Sequence, residues 1–169
     1  MDILDLIKSR RSVRKFTPEP VSDEDIGRIL EAGRWAPSAN DSQPCTFIVV
    51  KSAEVRRRLA EVLPTGTFIT ESPVGIAVVV NPAASRRHLE DGAAATQNML
   101  LEAHALGLGA CWIGAYGTDK EVGGKKVLEI PEEERLQCII AIGHPAESPG
   151  GKKRKALAEI TFYEKYGHR

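Results

Sequence analysis

Ser9-Arg10-Arg11-Ser12-Val13-Arg14-Lys15-Phe16 places four cationic side chains and two hydroxyls within eight residues. Before it, Met1, Ile3, Leu4, Leu6 and Ile7 have the spacing of one side of a short helix, and Asp2 suits its start. The basic run then falls at the C-terminal end of that helix, where the helix dipole favours positive charge. Two readings follow. One is a solvated cluster that complements the dipole. The other is an anion pocket, in which the guanidinium forks of Arg10, Arg11 and Arg14 grip a phosphate bidentately and Ser12 adds a hydroxyl. The run alone does not choose between them.

The totals narrow the setting. A chain of 169 residues is most simply one domain, spanning 1–169, and is long enough to bury a substantial core. Lys plus Arg and Asp plus Glu both number 23, so the formal net charge is zero and a general nucleic-acid binder is disfavoured. No apolar run approaches the ~20 residues of a membrane span, and the N-terminal segment reads as a charged helix rather than a signal peptide. A cytoplasmic protein with neither nucleic-acid nor membrane partners is expected. Cys45, Cys111 and Cys138 each lie in or beside an apolar segment and read as buried thiols. The histidines, His88, His104, His144 and His168, show no metal-ligand spacing.

Working outward from the basic run, Pro18 and Pro20 extend the chain. Ser22, followed by Asp23, Glu24 and Asp25, signals a helix start whose inward face carries Ile26, Ile29, Leu30 and Gly33. Trp35 to Pro44 is a polar loop bracketed by prolines, which leaves Ser38, Asn40 and Gln43 free for hydrogen bonding. It enters the strand Thr46–Val50. A helix over Ser52 to Leu63 is expected to turn Val55, Leu59 and Val62 inward and Arg56, Arg57 and Arg58 outward. Pro64 to Glu71 reads as a mobile loop, and Val74 to Val80 as a second strand.

A long helix from about Leu89 to Leu106 begins with the small residues Gly92-Ala93-Ala94-Ala95, which suit close packing or simply high helix propensity. Gly107 ends it. Ala110–Ile113 is a third strand, and Thr118 to Leu128 a helix weakened by Gly123-Gly124 at roughly 1 kcal/mol per glycine. Leu136 to Ile142 is a fourth strand. A basic loop, Pro149 to Lys155, precedes a terminal helix carrying Leu157, Ile160, Phe162 and Tyr163. Helices alternating with four apolar strands imply a three-layer α/β or α+β domain. No dinucleotide fingerprint or nucleotidase-type phosphate loop is present. Conventional catalytic groups are scarce, whereas basic clusters stand at both ends of the chain. That pattern suits a protein that binds a phosphorylated cofactor and leaves the chemistry to it.

RRSVRKF at 10–16, APSANDSQP at 36–44, GLGACWIGA at 107–115, IGHP at 142–145 and GKKRKAL at 151–157 together resemble the FMN-dependent nitroreductase family, in that family's order. The resemblance implies an α+β, three-layer fold with a mixed central sheet flanked by helices, and a homodimer with FMN at the subunit interface. It assigns Arg10, Ser12 and Arg11 to the phosphate and ribityl end, and Arg14 to the pyrimidine edge of the flavin. Pro37, Ser38, Ala39, Asn40 and Gln43 would reach the cofactor from the partner subunit. The backbone of Ile113 and Gly114 would face the ring, and Arg154 with Lys152 or Lys155 would close the phosphate site. The implied activity is reduction of quinone- or nitroaromatic-type electrophiles with NADH or NADPH, by ping-pong hydride transfer through flavin N5 and with no catalytic side chain. The alternative is a non-catalytic FMN-binding protein for storage or sensing. Three features depart from the family pattern: Asp41 replaces the usual asparagine, Cys45 an often-found tryptophan, and the Gly123-Gly124 pair is atypical.

Overall fold

The computed structural model describes residues 2–168. Helix α1 (Ile3–Ser9) leads through the basic run to α2 (Asp23–Arg34), a short 3-10 turn (Ala39–Asp41) and β1 (Cys45–Val50). Helix α3 (Ala53–Val62), a second 3-10 turn (Thr67–Thr70), β2 (Val74–Val80) and α4 (His88–Ala105) follow. The chain continues through β3 (Gly109–Gly114), α5 (Asp119–Leu128), β4 (Arg135–Gly143) and a one-turn α6 (Leu157–Ile160). Of the residues expected on the first helix face, Met1 lies outside the described residues.

Alternation within the strands builds the layers. In β2, Ile76, Val78 and Val80 join α2 and α4 in one core, while Ala77 and Val79 join Leu59 of α3 and Leu63 in the other. All seven β2 residues are therefore buried, as expected for a strand covered on both faces. In β4, Ile140 and Ile142 face the first core, and Ile139 and Ala141 the second. Between Val78 and Val79 the register shifts, from Val78 opposite Cys138 to Val79 opposite Leu136. The extra residue, Gln137, puts Leu136 and Cys138 on opposite faces although they are two positions apart.

The fold is α+β, with strand order β1-β2-β4-β3. The expected mixed sheet is corrected in one respect: its four strands are antiparallel throughout. Among the described residues, parallel pairing is confined to a single bridge between Ser12 and Ala110.

Small residues set the helix spacing. A Cβ on Gly92 would lie 2.7 Å from Val80 Cγ1 and press into the Gln137 side chain, so α4 packs close against the sheet. The Gly123-Gly124 pair, costly in a helix by propensity, allows similar proximity. Cβ atoms there would meet Val62 Cβ at 2.6 Å and Leu136 Cδ2 at 2.5 Å.

Ser22 and Ser52 cap α2 and α3 by accepting from the N–H of Asp25 and Val55. Thr118 precedes α5, but its hydroxyl donates to the Ala115 carbonyl instead of capping. Arg56 also departs from expectation. It lies three positions before Leu59, on the inward side of α3, and is buried. Its Nη1 donates to the Lys51 carbonyl, and burial pushes its pKa down. The Pro64–Glu71 segment includes the 3-10 turn whose Ile69 is fully buried. The expected terminal helix is shorter than its sequence suggests, because Leu157 and Ile160 have no core beneath them and remain exposed. Among the described residues no helix is long and apolar enough to cross a membrane.

Candidate functional site

Beyond α1 the chain becomes extended, and it is pinned from Ser12 to Thr17. Val13 N–H donates to the Ala110 carbonyl at 3.0 Å, and Thr17 N–H to the His144 carbonyl at 2.9 Å. Phe16 bridges Pro145, and Ala146 N–H returns a bond to the Lys15 carbonyl at 2.9 Å. Val13 and Phe16 are buried, which leaves Arg14 and Lys15 exposed. Glu147 completes the stitching by accepting from the N–H groups of Arg14 (2.7 Å) and Lys15 (3.2 Å). The segment leaving β4 is thereby laid along the basic run, and the C-terminal basic loop follows beside it.

The result is a cleft of about 690 Å³ that contains Arg10, Arg11, Ser12 and Arg14 from one end of the chain and Lys152 and Arg154 from the other. With Lys8, six cationic side chains converge there, and no carboxylate lines the cleft among the described residues. In a chain of zero net charge, this concentrates positive potential at one place. Arg11 serves the helix as well. Its Nη1 donates to the carbonyls of Lys8 (2.6 Å) and Arg10 (2.8 Å), so the two readings of the basic run both apply to this residue. The Arg14 guanidinium lies 5.9 Å from the Phe68 ring centroid.

Helix α4 passes behind the cleft. Gln97 lines it, although an exposed glutamine within a long helix carries no signal in the sequence. About two turns further on, His104 Nε2 lies 2.8 Å from Ser9 Oγ and ties α4 to the end of α1. Burial, together with the charges of Arg10 and Arg11, holds the His104 pKa below its ordinary value.

The proline-bracketed loop lies elsewhere. Pro37, Ser38 and Gln43 line a separate pocket of about 120 Å³ with Cys45, Phe47 and Asp91, and Ala39 and Asn40 continue the same turn. Asn40, Asp41 and Gln43 have φ of 53°, 54° and 48°, left-handed values that cost on the order of 1 kcal/mol each outside glycine. Ser38 and Gln43 are not free, as their sequence context suggested. Ser38 Oγ accepts from Gln43 N–H at 3.0 Å, and Gln43 Nε2 donates to the Asp41 carboxylate at 3.2 Å. Ala39 N–H donates to Asp91 Oδ1 at 3.0 Å. Asp91 is an acid in the first turn of α4, and nothing in the sequence names its partner 52 residues away.

Ile113 and Gly114 lie on β3, outside the basic cleft of the same chain. Ile113 is buried in the second core, whereas Gly114 faces open space. The thiols behave as small apolar groups. Burial, then the charge of Asp91, pushes Cys45 up to about 11, and burial pushes the enclosed Cys138 up to about 12. Among the described residues no cluster of His, Cys, Asp or Glu has the makings of a metal site.

Comparison with known proteins agrees with this architecture. The sequence model of the Nitroreductase family matches residues 7–66 and 63–144. A Methanothermobacter thermautotrophicus protein named for NADH dehydrogenase/NAD(P)H nitroreductase activity is 40% identical over 154 residues, covering 89% of this chain and 81% of the relative. A Desulfovibrio desulfuricans structure named as a nitroreductase, solved in complex with FMN, superposes with a TM-score of 0.84 at 36% identity, covering 98% of each chain. An FMN-dependent nitroreductase from Clostridium difficile gives a TM-score of 0.91 at 26% identity, covering 97% of this chain and all of that one. With the family match spanning most of its length and the fold shared throughout, the chain belongs to the nitroreductase family.

Proposed function

We propose that this chain is an FMN-dependent NAD(P)H oxidoreductase, one cofactor-binding domain over residues 1–169, which reduces quinone- or nitroaromatic-type electrophiles. The observation that carries this reading is the convergence of Arg10, Arg11, Ser12 and Arg14 with Lys152 and Arg154 in one cleft. The donor set fits the group: guanidinium, ammonium and hydroxyl donors with no opposing carboxylate suit a phosphate monoester. A volume of about 690 Å³ falls within the range of small-molecule sites.

Arg10, Ser12, Lys152 and Arg154 would hold the phosphate, assisted by the part of the Arg11 guanidinium not bonded to the end of α1. Arg14 would supply positive charge toward the ring, where it favours the reduced, anionic cofactor. When bound, FMN supplies the two-electron relay between NADH or NADPH and the acceptor. The protein's contribution is then binding, orientation and electrostatics, and no side-chain acid or base is assigned to the hydride step.

The Pro37–Gln43 loop does not line the cleft of its own chain, which favours a homodimer in which each loop approaches the partner's cofactor. The exposed apolar side chains of α1 and α6 support this arrangement, with Ile3 74% and Leu157 75% exposed on segments adjoining the basic cleft. Titration of the purified protein with FMN, followed by NADH or NADPH and a quinone, tests the reading. Saturable FMN binding with acceptor-dependent oxidation of the nicotinamide is expected. Protein that takes up no FMN from excess cofactor overturns it.

A further inference from the structure

We propose that Asp91 is a positioning residue. Its buried carboxylate fixes the Pro37–Gln43 loop in the conformation that reaches the flavin, and so sets cofactor affinity from outside the phosphate cleft. The proposal rests on the flavin reading above.

The loop is conformationally demanding, with Asn40, Asp41 and Gln43 all at positive φ. Its other hydrogen bonds are internal: Asp41 N–H to the Ser38 carbonyl, Ser42 N–H to the Ala39 carbonyl, and the Gln43 contacts to Ser38 and Asp41. Such bonds shape a turn but do not locate it. Among the described residues, Ala39 N–H to Asp91 Oδ1 is the one hydrogen bond that ties residues 37–43 to another element. Asp91 is itself immobilised. It is 6% exposed, and its Oδ2 accepts from the buried Ser85 hydroxyl at 2.6 Å. Ser85 is held in turn, because its Oγ accepts from Arg87 N–H at 3.0 Å. A charged acceptor on the first turn of α4 therefore grips the loop, while Gln97 on the same helix lines the phosphate cleft. One rigid element thus references both this chain's own phosphate cleft and the loop it offers to the partner's flavin.

Full-length wild type and the variants D91A, D91N, A39P and D91A/A39P are titrated with FMN, and inorganic phosphate is measured as a competitor that occupies only the basic cleft. Proline at 39 deletes the loop's donor without touching Asp91, and the extended Ser38 before it (φ −135°, ψ 154°) accepts a following proline. Loss of a hydrogen bond to a charged group should weaken FMN about tenfold or more in D91A and A39P. Phosphate inhibition should stay within about twofold of wild type, because its contacts are unchanged. Asparagine retains an acceptor, so D91N should recover most of the loss. The double variant should lose no more than either single one, since both remove the same bond. If D91A fails to fold, A39P and D91N carry the decision. The proposal is overturned by FMN affinity that D91A and A39P leave unchanged, by equal weakening of FMN and phosphate, or by additive losses in the double variant. Wild type that binds phosphate but no FMN removes the flavin reading, and the Asp91 role falls with it. Wild-type FMN binding alongside unaffected variants removes the Asp91 role alone.

Discussion

Glu147 Oε1 accepts from the backbone N–H of Arg14 at 2.7 Å, across 133 positions of sequence. The same oxygen takes the Lys15 N–H at 3.2 Å. One carboxylate thus satisfies two donors of the basic run and holds the C-terminal segment against it. Replacing Glu147 with Ala should leave those donors to solvent and loosen Lys152 and Arg154 relative to Arg10, at a cost of about 1–3 kcal/mol in stability. Denaturant unfolding and FMN titration of the variant should both weaken. Unchanged affinity would mean that the basic loop finds its place by other contacts.

Arg10 lines the cleft without the backbone bonds that engage Arg11. Arg10→Ala should therefore remove a charge-assisted contact and cost ~1.5–3 kcal/mol of FMN binding, with little effect on folding. The remaining affinity should also depend less steeply on salt. Isothermal titration at two salt concentrations measures both effects.

Gly92 lies where α4 meets the sheet, and a methyl there would sit 2.7 Å from Val80 Cγ1 and against Gln137. Gly92→Ala should destabilise the fold by about 1–3 kcal/mol despite alanine's better helix propensity, because overpacking outweighs propensity at a buried seam. Thermal unfolding should show a lowered Tm. A raised Tm would mean that α4 can move outward without loss.

Acid sensitivity should trace in part to Glu121, which is buried beneath Arg135. Burial alone would raise its pKa, but the Arg135 hydrogen bonds, the Gly117 N–H and the nearby charges together hold it below the ordinary carboxylate value. A folded pKa below the unfolded one gives stability that is present above the unfolded pKa and lost as pH falls through the folded pKa. Glu121→Gln should be less stable than wild type at neutral pH, and the gap should narrow on acidification. Urea midpoints across pH 3 to 7 test this, and a gap that widens toward acid would contradict it.

Much of this molecule can be read from residue patterns. Val74–Val80, and Leu136–Ile142 with Gln137 as its one polar residue, fall within β2 and β4, because strands buried on both faces need no polar alternation. Ser22 and Ser52 mark helix starts, since a short hydroxyl is the natural acceptor for orphan N–H groups. The basic cleft is half legible: both clusters are visible, but their meeting depends on the stitching by Ala110, His144 and Glu147. Long-range partners escaped for the same reason. Neither Asp91 nor Gln97 carries a local mark of what it faces, and Arg56 is buried because tertiary packing overrides its charge. Leu157 and Ile160 show the reverse, apolar residues that promise a helix but find no surface within their own chain.

The most direct measurement is the absorbance spectrum of the purified, FMN-loaded protein before and after anaerobic addition of NADH and then NADPH. Flavin bands near ~450 nm that bleach with one donor and return with a quinone are the predicted result. Bands that persist with both donors, or protein that remains colourless in excess FMN, would contradict the assignment of this chain as an FMN-dependent NAD(P)H oxidoreductase.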